Sequence, residues 1–381
     1  MPNVLLVDHA PFFGGSESFL VDLVSELDRR TYTPFIVSDT RSPVLDRLRA
    51  TGVPVLTMPL PRINRSAAFM WRLLRSGQRL AQLARGANVD LIHTFTARTH
   101  LVGAVASRLS GIPLVWRIGD DTLPATVVRL FGGIPRRIVG VSEWITMQYP
   151  ALRFDDLVPD GARPPLAVTR AEARAELALP AQARIVAHVG RLVRWKGQEV
   201  FIRALAHAAH AVPGLHGVIV GTWHAEDDRP GPLAGGKSYY EELRTLAIAL
   251  GLNTPTHERL TFSGFVRDPG LAYAAADVVA HTSTLPEPFG RTIIEAMIAG
   301  RPVVAARAGG PAEIIMDGRS GLLTAPGDVA ALADALASLL TKDSYREQLA
   351  VAGQCRAEAK YTLAIMTRGM EATYRRTLAA S

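Results

Sequence analysis

Thr282-Ser-Thr-Leu-Pro-Glu287-Pro-Phe-Gly-Arg-Thr-Ile-Ile-Glu295-Ala-Met297, with Gly300-Arg-Pro-Val-Val-Ala305 and Ala308-Gly-Gly-Pro-Ala-Glu-Ile-Ile315 behind it, decides how the chain folds. The run reads as a loop leading from a strand into a helix, with Glu287 at the lip of the loop and Glu295 about two turns into the helix. An α-helix rises about 1.5 Å per residue, so the two carboxylates are expected on the order of 12 Å apart. A retaining glycosidase pair needs roughly 5 to 5.5 Å and an inverting pair roughly 6.5 to 9.5 Å, so this spacing excludes both. It suits two handholds on one long polar ligand. Between them, Pro288-Phe289-Gly290 opens the helix, where unpaired N–H groups and the dipole favour an anion such as a diphosphate. A nucleotide-sugar satisfies all three features.

Outward from this run, short apolar stretches alternate with helical ones, the pattern of a parallel α/β architecture. Candidate strands are Val4–Val7, Thr33–Val37, Val53–Thr57, Leu91–His93, Pro113–Trp116 and Arg137–Val141 in the first half. The second half repeats the rhythm with Arg184–Val189, Gly217–Val220, Arg259–Phe262, Val278–His281 and Pro302–Ala305. Between them, the stretch 153–165 is rich in Pro, Asp and Gly and reads as a linker. Both halves are expected to be doubly wound, and such sheets bind ligands outside the carboxyl ends of their strands. Gly14-Gly15 follows the first strand of one half, where glycine lets the backbone approach a phosphate or a sugar, or simply makes a tight turn. Arg191 and Lys196 follow the first strand of the other. Two facing halves are expected to close on one ligand.

These residues carry a resemblance. The run around Glu287 and Glu295 resembles the Glu-x7-Glu motif of retaining GT-B glycosyltransferases, glycosyltransferase family 4. Gly14-Gly15-Ser16-Glu17 is similar to that family's N-terminal glycine loop, Val189-Gly-Arg191-Leu-Val-Arg-Trp-Lys196-Gly197 to its phosphate-binding stretch, and Ser263-Gly264-Phe265-Val266 to its base-contacting loop. The resemblance implies two Rossmann-like domains facing across a cleft: 1–160 on the acceptor side, 161–360 on the nucleotide-sugar side, and a last helix, 361–381, packing back on the first domain. It implies that Arg191 and Lys196 neutralise the donor diphosphate, stabilising a leaving group whose charge grows in the transition state. Glu287 would accept hydrogen bonds from sugar hydroxyls and Glu295 from the ribose. Backbone N–H groups of Phe289, Gly290, Arg291 and Thr292 would meet the phosphate. One place departs from the pattern: after Leu114-Val-Trp-Arg117-Ile, where many members carry a histidine near the donor sugar, the chain has Gly119, then Asp120-Asp121. Arg117 or Asp120 could take over a sugar contact, and His93 or His100 could touch the acceptor or serve only structure.

Composition narrows the remaining choices. The 381 residues allow two or three domains, and 48% hydrophobic with 20% charged residues is a globular composition. A net charge of +7 points to an anionic partner. Helix-turn-helix, zinc-finger and RNA-binding signatures are lacking, so nucleic acid is not expected. No apolar run reaches the length of a membrane span, and the start of the chain does not read as a signal peptide, which together predict a cytoplasmic protein. Single Cys355 excludes an internal disulfide and is expected to be a small buried side chain. The sequence has no Asp-x-Asp and no histidine spacing suited to a metal, so metal-independent chemistry is expected, with no cofactor beyond the nucleotide-sugar substrate.

From Arg47 to Val89 the chain has eight arginines and no acidic residue. The segment Arg62–Arg85 is predicted as a helix interleaving Phe69, Trp71, Leu73, Leu74, Leu80 and Leu83 with Arg65, Arg72, Arg75 and Arg79. Such a helix can lie on an anionic bilayer or can pack on the sheet with a charged outer face. The reading that unites these features is transfer of a sugar from a nucleoside-diphosphate sugar, a UDP-sugar first, to a sugar- or lipid-linked acceptor in polysaccharide or glycolipid synthesis. Two alternatives stay open: an epimerase or phosphorylase using the same donor pocket, and a non-catalytic nucleotide-sugar-binding protein docked on a membrane.

Overall fold

The computed structural model describes residues 1–9, 14–40, 42, 44–64, 66–223 and 235–379. Of the positions singled out above, Arg65 lies outside them. The chain divides into two compact units, Met1–Gly161 with Leu363–Ser381, and Ala162–Thr362.

The first unit is built on strands β1 (Asn3–Val7), β2 (Thr33–Ser38), β3 (Val55–Thr57), β4 (Leu91–Thr94), β5 (Leu114–Ile118), β6 (Arg137–Gly140) and β7 (Asp156–Leu157). They pair in parallel in the order β3-β2-β1-β4-β5-β6-β7. A strand covered on both faces has no solvent side, which is why Val4-Leu-Leu-Val7 and Leu114-Val-Trp-Arg-Ile118 are buried throughout. Strand order reverses between β1 and β4, and sheets of this kind generally bind ligands in the crevice at the carboxyl ends of such a pair. The helix Leu363–Ala379 belongs to this unit, although the whole second unit precedes it in the chain. It is keyed in by polar contacts: Tyr374 OH lies 2.6 Å from His93 Nδ1, Tyr32 OH donates to the Glu371 carbonyl at 3.1 Å, and Thr373 Oγ1 donates to Asp156 at 2.9 Å.

The second unit has β8 (Arg184–Val189), β9 (Leu215–Val220), a short hairpin of β10 (Asn253–Thr254) and β11 (His257–Glu258), then β12 (Leu260–Gly264), β13 (Val278–His281), β14 (Val303–Ala306) and β15 (Leu322–Thr324). Its main sheet is parallel with order β12-β9-β8-β13-β14-β15. The reversal falls between β8 and β13, the two strands that lead into Lys196 and Glu287. Two parallel sheets of this kind, flanked by helices, make the GT-B architecture that the sequence implied.

Several local expectations need correction. The helix carrying Glu295 is Arg291–Ile298, so Glu295 sits one turn in rather than two, because Gly290 at φ +113° holds the chain out of helical geometry. The basic helix starts at Ala67 and ends at Gly86. Strand β5 runs on through Arg117, whose guanidinium is held inside the unit: Nη2 pairs with Asp160 at 2.5 Å and the group lies 3.8 Å over the Phe19 ring. The linker contains β7, which pairs with β6. Cys355 is exposed: the helix Asp343–Lys360 turns Leu349, Gly353 and Ala357 inward at every fourth position, and Cys355 falls on the other face.

Burial leaves a group of histidines uncharged. Burial pushes His100 and His188 down to about 3, and His93 well below its ordinary value. These groups stay neutral in the fold but bind a proton in the unfolded chain below about pH 6.5. Their contribution to stability is therefore complete above that pH and is lost as pH falls toward their folded values. Urea unfolding at about pH 7.5 and 5.5 should show a loss at the lower pH on the order of 1 kcal/mol for each of the three. A flat stability over that window would contradict their neutral burial.

Candidate active site

At the end of β8 the chain makes a 3-10 turn, Arg194–Lys196, and enters the helix Gln198–Ala208 through Gly197 at φ +70°. A Cβ on Gly197 would lie 1.9 Å from the Thr282 carbonyl oxygen, so only glycine lets the turn meet the loop leaving β13. The two are stitched together. Thr282 Oγ1 donates to the carbonyls of Lys196 at 3.1 Å and Gly197 at 2.8 Å, and Thr284 N donates to the Trp195 carbonyl at 2.7 Å. Below the turn, His188 Nε2 lies 3.2 Å from the Lys196 carbonyl.

The loop carrying Glu287 is fixed from its other side by Ala308-Gly309-Gly310. Glu287 N donates to the Ala308 carbonyl at 3.1 Å, and Gly310 N donates to the Glu287 carbonyl at 2.8 Å. A Cβ would reach the Glu287 carbonyl oxygen at 2.2 Å from Gly309 and the Phe289 carbonyl oxygen at 2.3 Å from Gly310, so both glycines are places of close backbone approach.

Held this way, Lys196 Nζ lies 2.5 Å from Glu287 Oε2, with side chains only 19% and 13% exposed. Ser283 Oγ donates to the same oxygen at 3.1 Å, and His281 Nε2 is 3.3 Å from it. Burial alone would push the Glu287 carboxyl up, but the Lys196 charge and His281 outweigh it and hold the group well below the usual carboxylate range. Glu295, on the following helix, accepts a hydrogen bond from Tyr273 OH at 2.8 Å and has Arg291 Nη2 at 3.5 Å. Phe289 is buried and meets Tyr361 edge-on at 5.8 Å, which anchors the helix opening at Pro288, Gly290 and Thr292. At the end of β12, Gly264 turns at φ +66° and leaves Phe265 63% exposed, with Val266 next to it. Arg191 directly follows β8 and Gly190, and its carbonyl accepts from Gln198 Nε2 at 2.9 Å.

The family models match in two stretches, one described as "Glycosyl transferase 4-like domain" over residues 14–145 and one as "Glycosyl transferases group 1" over residues 169–356. The chain belongs to the group 1 glycosyl transferases. Within that family it is 32% identical over 287 residues to the D-inositol 3-phosphate glycosyltransferase of Saccharomonospora viridis, covering 68% of this chain and 64% of that protein. With the same-named protein of Nocardia farcinica it is 40% identical over 194 residues, covering 49% and 39%. The chain thus spans about half the length of the curated relatives it matches. Among solved structures, HepE of Anabaena in complex with UDP and glucose has a TM-score of 0.82 at 27% identity, over 98% of this chain and 99% of that one. HepE is also similar as its UDP-glucose complex, with a TM-score of 0.81.

In this group 1 chain, most of the residues expected to hold a donor (Arg191, Lys196, Gly264 to Val266, Glu287 to Thr292 and Glu295) lie in the second unit, whereas Gly14 and Gly15, expected to approach the same donor, lie in the first. Lys196 and Glu287 meet directly, which the sequence did not foretell. Missed altogether were His281, Ser283 and Tyr273. His281 had a signal, a polar residue ending an otherwise apolar strand at its carboxyl end. Tyr273 had none. In the first unit, Gly14 opens the helix Gly15–Glu26, its N–H donating to Glu17 Oε2 at 2.9 Å, and Gly15 is the first helical residue. His93 and His100 are 0% exposed, so neither presents a side chain to an acceptor; His100 stacks on Trp116 at 3.6 Å. Arg117 is 2% exposed, and a Cβ at Gly119 would lie 2.8 Å from its Nη1, so the guanidinium occupies the space a side chain at 119 would need. Asp120 caps its own turn, accepting from Thr122 N at 3.0 Å and Oγ1 at 2.8 Å.

Two glycines with the same backbone conformation separate strain from contact. Gly251, at φ +69°, has nothing within 4 Å of a built Cβ, whereas Gly197 has the Thr282 carbonyl. Gly251→Ala should cost only the left-handed penalty, about 1 to 2 kcal/mol. Gly197→Ala should cost upward of roughly 3 kcal/mol, because the two site loops must also part. Equal shifts in a denaturant titration would contradict the contact.

Proposed function

We propose that the protein transfers a glycosyl unit from a nucleoside-diphosphate sugar, a UDP-sugar first, to an acceptor hydroxyl with retention of configuration and without a metal ion. The observation that carries this reading is Lys196 set against Glu287 at the β8/β13 reversal, beside the open start of the helix Arg291–Ile298. Lys196 and Arg191 supply fixed positive charge for the departing diphosphate, and the helix N-terminus adds the positive end of its dipole. Glu287 and Glu295 are acceptors for the hydroxyls of the sugar and the ribose. The UDP-glucose complex of the similar HepE supports a UDP-sugar donor. The donor is assigned to the second unit and the acceptor to the first.

Acceptors attached to lipids, in cell-surface polysaccharide or glycolipid synthesis, fit the basic helix Ala67–Gly86. Phe69, Leu73 and Leu80 are buried, and Gly77 is in close contact with Val105, so one face is packed. On the other face Met70, Trp71 and Leu74 are 50%, 61% and 54% exposed beside exposed Arg72, Arg75 and Arg79. No helix among the described residues is long and apolar enough to cross a membrane. We assign this face to an anionic bilayer on the cytoplasmic side, as a peripheral contact.

A thermal-shift screen across UDP-sugars identifies the donor, since a ligand at 100 times its Kd adds about 2.7 kcal/mol of stability. With that donor, turnover should persist in excess chelator, and Lys196→Ala should lower kcat by roughly 10²- to 10³-fold while donor affinity falls much less. Loss of affinity alone, with normal turnover at saturation, would remove Lys196 from leaving-group stabilisation.

Flotation tests the membrane assignment. The protein should rise with anionic liposomes at low salt, and replacing Arg72, Arg75 and Arg79 with Gln should abolish this. Equal recovery of both proteins would leave the helix a purely structural role.

A further inference from the structure

Glu287 is unusual in how its carboxylate is used. Three groups converge on a single oxygen, Oε2: Lys196 Nζ at 2.5 Å, Ser283 Oγ at 3.1 Å and His281 Nε2 at 3.3 Å. Among the described residues, none donates to Oε1. His281 is the last residue of β13, its side chain only 5% exposed, so the strand fixes it before any ligand arrives. An ionised carboxylate accepts only, so the nitrogen facing it must carry the proton. Ser283 Oγ also lies 3.3 Å from His281 Nε2, closing a triangle on Oε2.

Lys196 alone could not aim this carboxylate. An ammonium is a point charge on a flexible stem and holds an oxygen in many orientations. It must also serve the diphosphate when the donor is bound, which weakens its hold on Glu287 when alignment matters. His281 and Ser283 sit on the strand end and the first turn of the loop, and neither is needed elsewhere in the proposed reaction. We infer that His281, assisted by Ser283, is the positioning residue that pins Oε2 of Glu287 and leaves Oε1 turned to a hydroxyl of the donor sugar. This rests on the reading of Glu287 as the sugar handhold. His281 touches no substrate itself. It acts through Glu287, so its loss should be felt for ligands that have a sugar and not for the nucleotide alone.

Calorimetric titration with UDP, and with the UDP-sugar giving the largest thermal shift, separates these roles in wild type, His281→Leu, His281→Gln and Glu287→Gln. His281→Leu should weaken UDP-sugar binding by about 10- to 30-fold, the loss of one hydrogen bond to a charged group, and change UDP binding by less than about 3-fold. Gln carries an amide N–H to the position of Nε2, so His281→Gln should recover most of the affinity. Glu287→Gln should show the same sugar-selective loss. If Glu287→Gln shows it and His281→Leu does not, the positioning role is overturned while the site reading stands. If His281→Leu loses UDP and UDP-sugar alike and Gln does not rescue it, His281 merely supports the loop and the inference fails. If Glu287→Gln binds the UDP-sugar as wild type does, the handhold reading falls and takes the inference with it.

Discussion

The ion pair between Lys196 and Glu287 is the constraint on which the second unit is organised. Removing two charges from water costs several kcal/mol per ion unless geometry and further hydrogen bonds compensate. The chain meets that condition from three directions. The end of strand β13 presents His281 and the loop after it Ser283 to the carboxylate, the turn after β8 presents the ammonium, and Ala308-Gly309-Gly310 fixes the backbone beneath. Remove the glycine at 197, 309 or 310 and a Cβ meets a carbonyl oxygen at 1.9 to 2.3 Å. Charges held this firmly need little reorganisation when new charge develops beside them, which is the property an electrostatic catalyst requires.

The first unit spends its buried polar groups differently. His93 against Tyr374, Tyr32 against Glu371 and Thr373 against Asp156 all tie the helix Leu363–Ala379 to residues in or beside strands laid down hundreds of residues earlier. Arg117 with Asp160 does the same for the segment that leaves β7. Residues that looked like acceptor contacts in the sequence therefore serve packing. Among the described residues, the β1/β4 reversal carries the glycine-led helix start at Gly14-Gly15 and the segment around Thr96, whose Oγ1 lies 3.0 Å from His9 Nδ1. His9 is driven to about 4 by its burial and then by the nearby Arg98 charge, so it stands there neutral.

The strands were legible because a parallel sheet covered on both faces demands unbroken apolar runs: Arg184–Val189 and Val278–His281 have the expected bounds. The donor loops were legible because strand-to-helix connections at carboxyl ends carry their chemistry in short contiguous motifs. Contacts between such motifs were not. Lys196 and Glu287 are 91 residues apart, and Tyr374 and His93 are 281 apart, so nothing local records their meeting. Arg117 was misplaced because a charged side chain ending an apolar run reads as a strand terminus, whereas a buried partner, Asp160, lets the strand continue. Cys355 was misplaced because its residue type favours burial, while its face of the helix is set by Leu349, Gly353 and Ala357.

The most direct test of the account is the titration of the Glu287 carboxyl itself, followed by its side-chain carboxyl carbon in NMR, in wild type and in Lys196→Met. The unliganded wild type should show no protonation of Glu287 between about pH 6 and 4, while in Lys196→Met the titration should move up into or toward that window, because burial then acts with less opposition. A wild-type Glu287 that protonates near the ordinary glutamate value of about 4.3 would mean that the ion pair does not organise the site.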